Sequence, residues 1–407
     1  MNEAAHLQQQ IFRIESLCPQ RAPSSEGERR AQEVVAAEFA ALGLPTTWQP
    51  FTFNDSLHAN LALHFGLGTL GTLVGGVSPA AGLLLHGACA TSYQLEATRR
   101  HFLLRRLLPP RRSQNLLVTL PAKESEPRLR IVFLAHADAA ITGLIFDPRV
   151  TRLLHRDLPG PLARLRRPLE LALRTQQALA VCDLLRLLGG PLAWPLRPLE
   201  WALTLPSLLV FLGSLQALLA DELVPGANDD LSGLVALPVL ARRLAADQPP
   251  DVELVFVATG CEEPGFGGAD ALVRETSGRW DRTNTVVIAL DSIGGGDLRW
   301  LDVEGDLPLP LPAWLRLTLQ ATAAADERFA GTQGFAVPCG GTDMVPFRCA
   351  GYAGVGLIGL DPTLGTPTHY HLPTDTSDNL DYEKLLLAVD FAGHLARRLY
   401  RGIPALA

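Results

Sequence analysis

The sequence predicts an α/β fold in which a mixed, mostly parallel central sheet is sandwiched by helices and interrupted by apolar helical insertions. Three observations predict it. Strand-length runs that are apolar throughout recur along the chain, as strands do when both faces of a sheet are covered. Amphipathic segments of helical length fall between several of them. Two long uncharged stretches fit neither pattern and read as insertions.

Taken in order, "SSEGERRAQEVVAAEFAALGL" reads as a capped amphipathic helix that ends near Gly43. "TTWQPFTF", "NLLVTLPA", "RIVFLAHAD", "VELVFVAT", "TVVIALDSI" and "GVGLIGL" read as strands. Helices between them include "LSGLVALPVLARRLAA" and "LPAWLRLTLQATAAA".

The first insertion carries no Asp, Glu, Lys or Arg from Ser56 to Leu95, a run of 40 residues. Its middle, "GGVSPAAG", holds turn residues, so the run reads as a hairpin of two short apolar helices. A second uncharged run of 20 residues extends from Trp201 to Ala220. Crossing a bilayer takes roughly 20 apolar residues per helix. The second run reaches that length, and each arm of the first is marginal. Between them, "ARLRRPLELALRTQQALAVCDLLRLL" is amphipathic and basic, which suits an anionic membrane surface. Membrane association is expected, with a helical lid or dimerisation element as the other reading. Arginines crowd the segments between the apolar runs while "GGVSPAAG" is uncharged, so the rest of the chain should face the cytoplasm. A lid would leave the protein cytoplasmic.

Hydrophobic residues make up 47% of the chain and charged residues 19%, an apolar balance. The net charge of −7 argues against a nucleic-acid partner, which would call for a basic patch. The six cysteines show no CxxC pairing and read as reduced thiols, with Cys339 and Cys349 near enough for a disulfide as the alternative. The first residues lack the basic and apolar regions of a signal peptide.

Chemistry-bearing residues gather where strands end. "FLAHADAA" puts His136 and Asp138 on one face at a strand end, and "PGANDDLSG" puts Asp229 and Asp230 just before a helix. Glu262 and Glu263 follow "VELVFVAT", Asp291 closes "TVVIAL", and His369, His371, Asp375 and Asp378 lie in a loop near the C-terminus. Singly, each reads as a polar cap, an N-cap or a surface turn. Ligands of open α/β sheets bind outside the carboxyl ends of the strands, so together these groups would meet along one edge. Histidines and carboxylates meeting there suit zinc, and two metals would need a bridging carboxylate.

This order of motifs resembles the co-catalytic di-zinc aminopeptidase family, whose superfamily includes glutaminyl cyclases and transferrin-receptor-like proteins. "HAD", "GANDDLSG", "EEPGFGG", "LDSIG" and "HLPTDT" carry the resemblance. It implies a zinc aminopeptidase-like fold and a two-zinc exopeptidase acting on peptides. The zinc ligands would be His136, Asp229 as the bridge, Glu263, Asp291 and His371, with His369 the competing histidine. Asp138 would orient His136, and Glu262 would act as general base. Asp343 stands where the family often carries an acidic residue followed by His, a place that Met344 takes here. The resemblance assigns a catalytic domain to 1–55, 115–138 and 224–407, an apolar helical hairpin to 56–114, and a further helical insertion, a candidate for membrane association, to 139–223. A one-zinc glutaminyl cyclase and a non-catalytic receptor or scaffold domain are the alternatives. The sequence specifies neither the preferred N-terminal residue nor the oligomeric state.

Overall fold

The computed structural model describes residues 2–123, 126–154 and 166–402. It forms two compact units, one built from Met1–Asp55, Arg111–Thr142 and Leu223–Ala407, the other from Ser56–Pro110 and Gly143–Glu222. The first unit opens with helices α1 (Glu3–Leu17) and α2 (Glu26–Ala41) and strand β1 (Thr46–Phe53). The chain then enters the second unit as α3 (Leu57–Gly75) and α4 (Pro79–Ala97). It returns as β2 (Arg111–Leu120) and β3 (Leu129–His136), and leaves again for α5 (Pro148–Leu154), α6 (Pro168–Gly189) and α7 (Arg197–Ala220). Back in the first unit come α8 (Gly233–Ala245), β4 (Val252–Thr259), α9 (Gly267–Thr276) and β5 (Thr285–Leu290). Strands β6 (Asp297–Glu304) and β7 (Leu309–Pro310), helix α10 (Ala313–Ala323) and strand β8 (Gln333–Ala336) follow. Last are α11 (Met344–Cys349), β9 (Ala353–Leu360) and α12 (Tyr382–Leu399).

Among the described residues, all nine strands join one sheet in the order β1-β2-β4-β3-β5-β9-β6-β7, with β8 on β6. The four central strands, β4, β3, β5 and β9, run parallel, and antiparallel pairs flank them. The mixed, mostly parallel sheet expected from the sequence is therefore present. Every residue of β3 and β5 is buried, which explains why these strands read as unbroken apolar runs. Alternate residues go to opposite faces. Ile131, Phe133, Leu254 and Phe256 pack under α1, α2, α8 and α12, while Val132, Leu134, Val255 and Val257 pack under α9 and α11.

Local chemistry sets several boundaries. Ser25 caps α2 by accepting a hydrogen bond from the Glu28 amide at 3.2 Å, and the chain turns at Gly43, whose φ is 75°. The sheet begins at Arg111 rather than at 115, because Arg111 pairs with Phe53 and carries β2 four residues further. Residues 139–142 also stay with the first unit, where Ile141 bridges to Leu223. Strands β6 and β8 were not legible in the sequence. The charges of β6 break the apolar pattern, and burying Glu304 becomes tolerable only once it meets Arg348 at 3.0 Å and accepts from the Thr342 amide and hydroxyl, while β8 is only four residues long and none of them is buried.

In the second unit, Ser56 and Ser78 cap α3 and α4, which form the hairpin expected of the first uncharged run. Among the described residues one helix, Leu192–Ala220, is long and apolar enough to cross a membrane, at a mean hydropathy of 1.8.

Candidate metal centre

Parallel register brings the strand ends level. His136 stands beside Thr259 across the β3–β4 pair, and Leu134 beside Ala289 across β3–β5. Residues that follow these strands therefore emerge along the same edge of the sheet. After β4 the chain doubles back in a tight turn, with Gly268 donating to the Gly260 carbonyl at 2.9 Å and Gly267 to that of Cys261 at 2.7 Å. A Cβ on Gly268 would lie 2.3 Å from Asn115 Oδ1 and 2.6 Å from the Gly260 oxygen, so only glycine fits this turn. Asp138 holds the turn from the neighbouring strand end. Its two carboxylate oxygens accept the amides of Glu262 and Glu263 at 3.1 and 3.0 Å. Cys261, at φ 52°, donates its amide to the buried Glu28 at 2.6 Å.

The segment before α8 splits the roles of its two aspartates. Asp230 is consumed by the fold: its carboxylate accepts the amides of His136, Gly233 and Ser292 at 3.1, 2.9 and 3.1 Å. Asp229 turns the other way, across a cis peptide. Its Oδ1 lies 3.1 Å from His136 Nε2 and its Oδ2 lies 3.1 Å from His371 Nε2. Asp375 backs this loop by accepting the amides of Asn228 and Asp229 at 2.7 and 3.1 Å. Behind it Arg21, fully buried, donates to the carbonyls of Gly226 at 2.8 Å and Ala137 at 3.2 Å. Sequence reasoning missed Arg21, which lies in an unremarkable loop and is recruited only by tertiary structure.

Further contacts draw in the remaining candidates. Glu263 Oε2 lies 3.4 Å from His371 Nε2, and Glu262 Oε2 lies 4.0 Å from His136 Nε2. One ligand atom each from His136, Asp229 and Glu263 fall within 4.8 Å of one another. His136 Nδ1 meets the backbone carbonyl of Asp138 at 3.1 Å and its carboxylate at 3.6 Å, which fixes the ring and directs Nε2 at Asp229. Asp291 follows β5, and its carboxyl is pushed up to about 7 by burial and by the Asp229 charge. His369 bonds Thr374 at 2.9 Å instead, so of the two histidines it is His371 that faces the carboxylates.

The electrostatics suit cations. Burial opposes ionising Asp229, yet His136 and His371 hold its carboxyl well below the usual range. Glu262 and Glu263 are driven well above theirs, by burial first and then by neighbouring carboxylates, against the pull of His136. Asp343, buried, is pushed up to about 7 by burial and bonds the Thr259 hydroxyl. Five carboxylates, Asp229, Glu262, Glu263, Asp291 and Asp343, thus gather around His136, and Asp229 and Glu263 also face His371. Glu263 Oε1 is buried with no hydrogen-bond partner, so its lone pairs are available to a cation. The donor set of imidazole nitrogen and carboxylate oxygen fits zinc. Tyr370 was also missed. Its ring lies 4.0 Å from that of His371, and burial with the Asp229 and Glu263 charges raises its phenol well above the usual value.

Comparison with known proteins agrees with the motifs. Residues 213–395 match peptidase family M28. The aminopeptidase YwaD of Bacillus subtilis (strain 168) is 30% identical over 168 residues, 41% of this chain and 36% of that protein, so the match spans about a third of the relative's length. Among solved structures, a zinc aminopeptidase from Bacillus subtilis shares the fold with a TM-score of 0.55 at 15% identity, covering 97% of this chain and 94% of the other. An aminopeptidase from Aneurinibacillus sp. strain AM-1 gives 0.54 at 15%, covering 99% and 96%. A glutaminyl cyclase from an Acidobacteriales bacterium gives 0.53 at 15%, covering 98% and 95%. At these identities the likeness is one of fold. The chain has the mixed α/β sheet architecture of zinc aminopeptidases and glutaminyl cyclases, and the resemblance drawn from its motifs holds.

Proposed function

We propose that this protein is a zinc-dependent aminopeptidase that hydrolyses N-terminal residues from peptides, with two zinc ions held by His136, Asp229, Glu263, Asp291 and His371. One observation carries the reading: Asp229 presents one carboxylate oxygen to each of two histidines at 3.1 Å, as a bridging ligand must. The short approach of Glu263 to His371 supports pairing these two on one side of the bridge, which leaves Asp291 to complete the other side with His136.

When bound, zinc supplies a Lewis acid that acidifies water and polarises a carbonyl oxygen. Glu262 accepts the proton of the attacking water and returns it to the leaving amine. Asp138 fixes His136 from behind and, through the amides it accepts, sets where Glu262 and Glu263 stand. The Tyr370 phenol, kept protonated by burial and by the charges of Asp229 and Glu263, stacks near His371 and is a candidate hydrogen-bond donor.

The fold alone leaves a glutaminyl cyclase open, whereas a full set of five candidate ligands, with Asp229 between the two histidines, favours two metals over one. Elemental analysis and a substrate panel separate these readings. The purified protein is expected to hold close to two zinc ions per chain and to release p-nitroaniline from aminoacyl p-nitroanilides. Cyclisation of an N-terminal glutamine with no hydrolysis would overturn the peptidase, and failure of both reactions would leave a scaffold.

We further infer that the protein is membrane-associated, with the catalytic unit facing the cytoplasm. The apolar helix ending at Ala220 and the arginines between the uncharged runs support this. The protein should stay in the membrane pellet after washing with high-pH carbonate, and clean extraction would overturn the assignment.

A further inference from the structure

The second unit is built with its polarity reversed. Its four long helices pack in a ring, α3 on α4, α4 on α6, α6 on α7 and α7 on α3. In a water-soluble bundle the seams are apolar and the outer faces polar. Here α7 buries Glu200, Thr204, Ser207, Ser214 and Ala217, and exposes Trp201, Leu205, Leu209 and Leu212. The other three helices also turn polar groups inward and leucine outward, although Phe65, Tyr93, Leu173 and Leu179 pack among the buried groups. Leu70 on α3, Leu84 on α4, and Val181 and Leu188 on α6 face outward, while Asn60, His64, His86, Gln176 and Asp183 face inward.

The inward groups bond one another across the seams. Asn60 donates to Glu96 at 2.7 Å, His64 meets Ser92 at 2.8 Å, and the hydroxyls of Thr72 and Thr204 lie 2.6 Å apart. His86 bridges Thr72 at 3.1 Å and Asp183 at 2.6 Å. Arg186 donates to the Gly75 carbonyl at 2.8 Å and pairs with Glu200 at 3.3 Å. Buried carboxylates are thus matched by cations: Glu96 by Arg105, and Glu200 by Arg186 and Arg197. Glycines let the helices approach closely. A Cβ on Gly82 would fall 2.8 Å from the Gly75 backbone, and one on Gly71 would fall 2.8 Å from the His86 ring. Small residues and polar cross-links at seams, with leucine outside, are how helices associate in lipid, where apolar burial gives no drive.

From these observations we propose that α3, α4, α6 and α7 all cross the bilayer, as an inside-out four-helix unit whose outer surface is solvated by acyl chains. The proposal rests on the membrane association inferred above and deepens it. It also changes the role of α6, which the sequence placed on the membrane surface. Helix lengths of 19, 19, 22 and 24 residues give roughly 29–36 Å at 1.5 Å per residue, against a hydrocarbon core of about 30 Å. A hydropathy average singles out the last helix because it blends the two faces of the others, whose inward histidines, Asn60 and Asp183 dilute the signal. A protein partner would cover one side of such a ring, whereas apolar residues face outward from all four helices. Trp194 and Trp201, both exposed, lie near the turn between α6 and α7, at the depth where tryptophan prefers a membrane interface. Arg174, exposed on α6, lies two turns from the start of that helix and can extend its head to the interface.

The test uses the full chain in phosphatidylcholine liposomes, after Cys339 and Cys349, both partly exposed, are replaced by serine. A nitroxide is attached to one introduced cysteine at a time, at Leu70, Leu84, Val181 or Leu209, with Phe12 of the first unit as an exposed control. Collision with molecular oxygen and with a water-soluble nickel chelate is then measured. The expected result is an oxygen-to-nickel ratio several-fold above the Phe12 control at all four sites. A high ratio at Leu209 with nickel access at Val181 would overturn the four-helix unit and leave membrane association standing. Low collision with both reagents would mean that a second copy or another protein covers the helices. Nickel access everywhere, or failure to float with the liposomes, would overturn membrane association itself.

Discussion

Replacing Glu262 by glutamine separates proton transfer from metal binding, because the two adjacent glutamates are held by groups that the substitution does not touch. Their amides are fixed by Asp138 at 3.1 and 3.0 Å, so neither backbone position depends on the side chain at 262. Glutamine keeps the shape of glutamate and cannot accept the proton. A positioned general base contributes about 10²–10⁴-fold, or roughly 3–5 kcal/mol of transition-state free energy, and kcat should fall by that factor. Glu262 faces His136 at 4.0 Å, while Glu263 lies at 3.4 Å from His371 and keeps a buried oxygen with no partner. Zinc content and KM in Glu262→Gln should therefore stay near the wild-type values. Glu263→Gln should lose zinc and recover part of its activity when zinc is added. Metal-free Glu262→Gln should also melt no lower than metal-free wild type, because one of several crowded carboxylates has been discharged. The assay is steady-state hydrolysis of an aminoacyl p-nitroanilide beside elemental analysis of the same samples. A Glu262→Gln enzyme with kcat within threefold of wild type, or one as zinc-poor as Glu263→Gln, would refute this division of roles.

Other perturbations test the support around the site. His136→Ala and Asp291→Ala should each lower zinc stoichiometry, and a chelator should lower the melting temperature, since zinc at a hundredfold over its dissociation constant adds about 2.7 kcal/mol per site; full retention of zinc in both variants would mean misassigned ligands. Arg21→Met should destabilise the catalytic unit by on the order of 3 kcal/mol, because the buried Gly226 and Ala137 carbonyls lose their donor, and a loss under about 1 kcal/mol in denaturant unfolding would contradict that role. The buried Glu28 carboxyl is pushed up to about 8, by burial and then by Asp138. A carboxyl with a raised folded value gives stability that is fully present below its unfolded value, about 4.3, and is lost as pH rises through about 8. Denaturant midpoints should therefore fall between about pH 4 and 8 and level off above that, and Glu28→Gln should flatten that limb; an equally steep limb in the variant would assign the pH dependence elsewhere.

The sequence by itself determined the elements whose local chemistry and burial agree. "VELVFVAT" and "TTWQPFTF" are β4 and β1 to the residue, and Ser25 and Gly43 mark the ends of α2 as caps do. The order of the polar residues that follow strands was equally open to reading, because a parallel sheet must bring such residues to one edge. Other features depend on partners far away in the chain. Strand β6 carries charges, and its buried Glu304 becomes tolerable in the sheet only after it finds Arg348. Nothing local distinguishes Asp229 from Asp230, or His369 from His371. The folded chain puts different neighbours beside each: Asp230 meets three backbone donors, and Asp229 meets two imidazoles. The second unit shows the same limit on a larger scale. Composition revealed two apolar runs, but the direction of each side chain depends on four helices closing around one another. Polar groups gain partners only inside that ring, so tertiary structure turned them inward and left leucine on the outside.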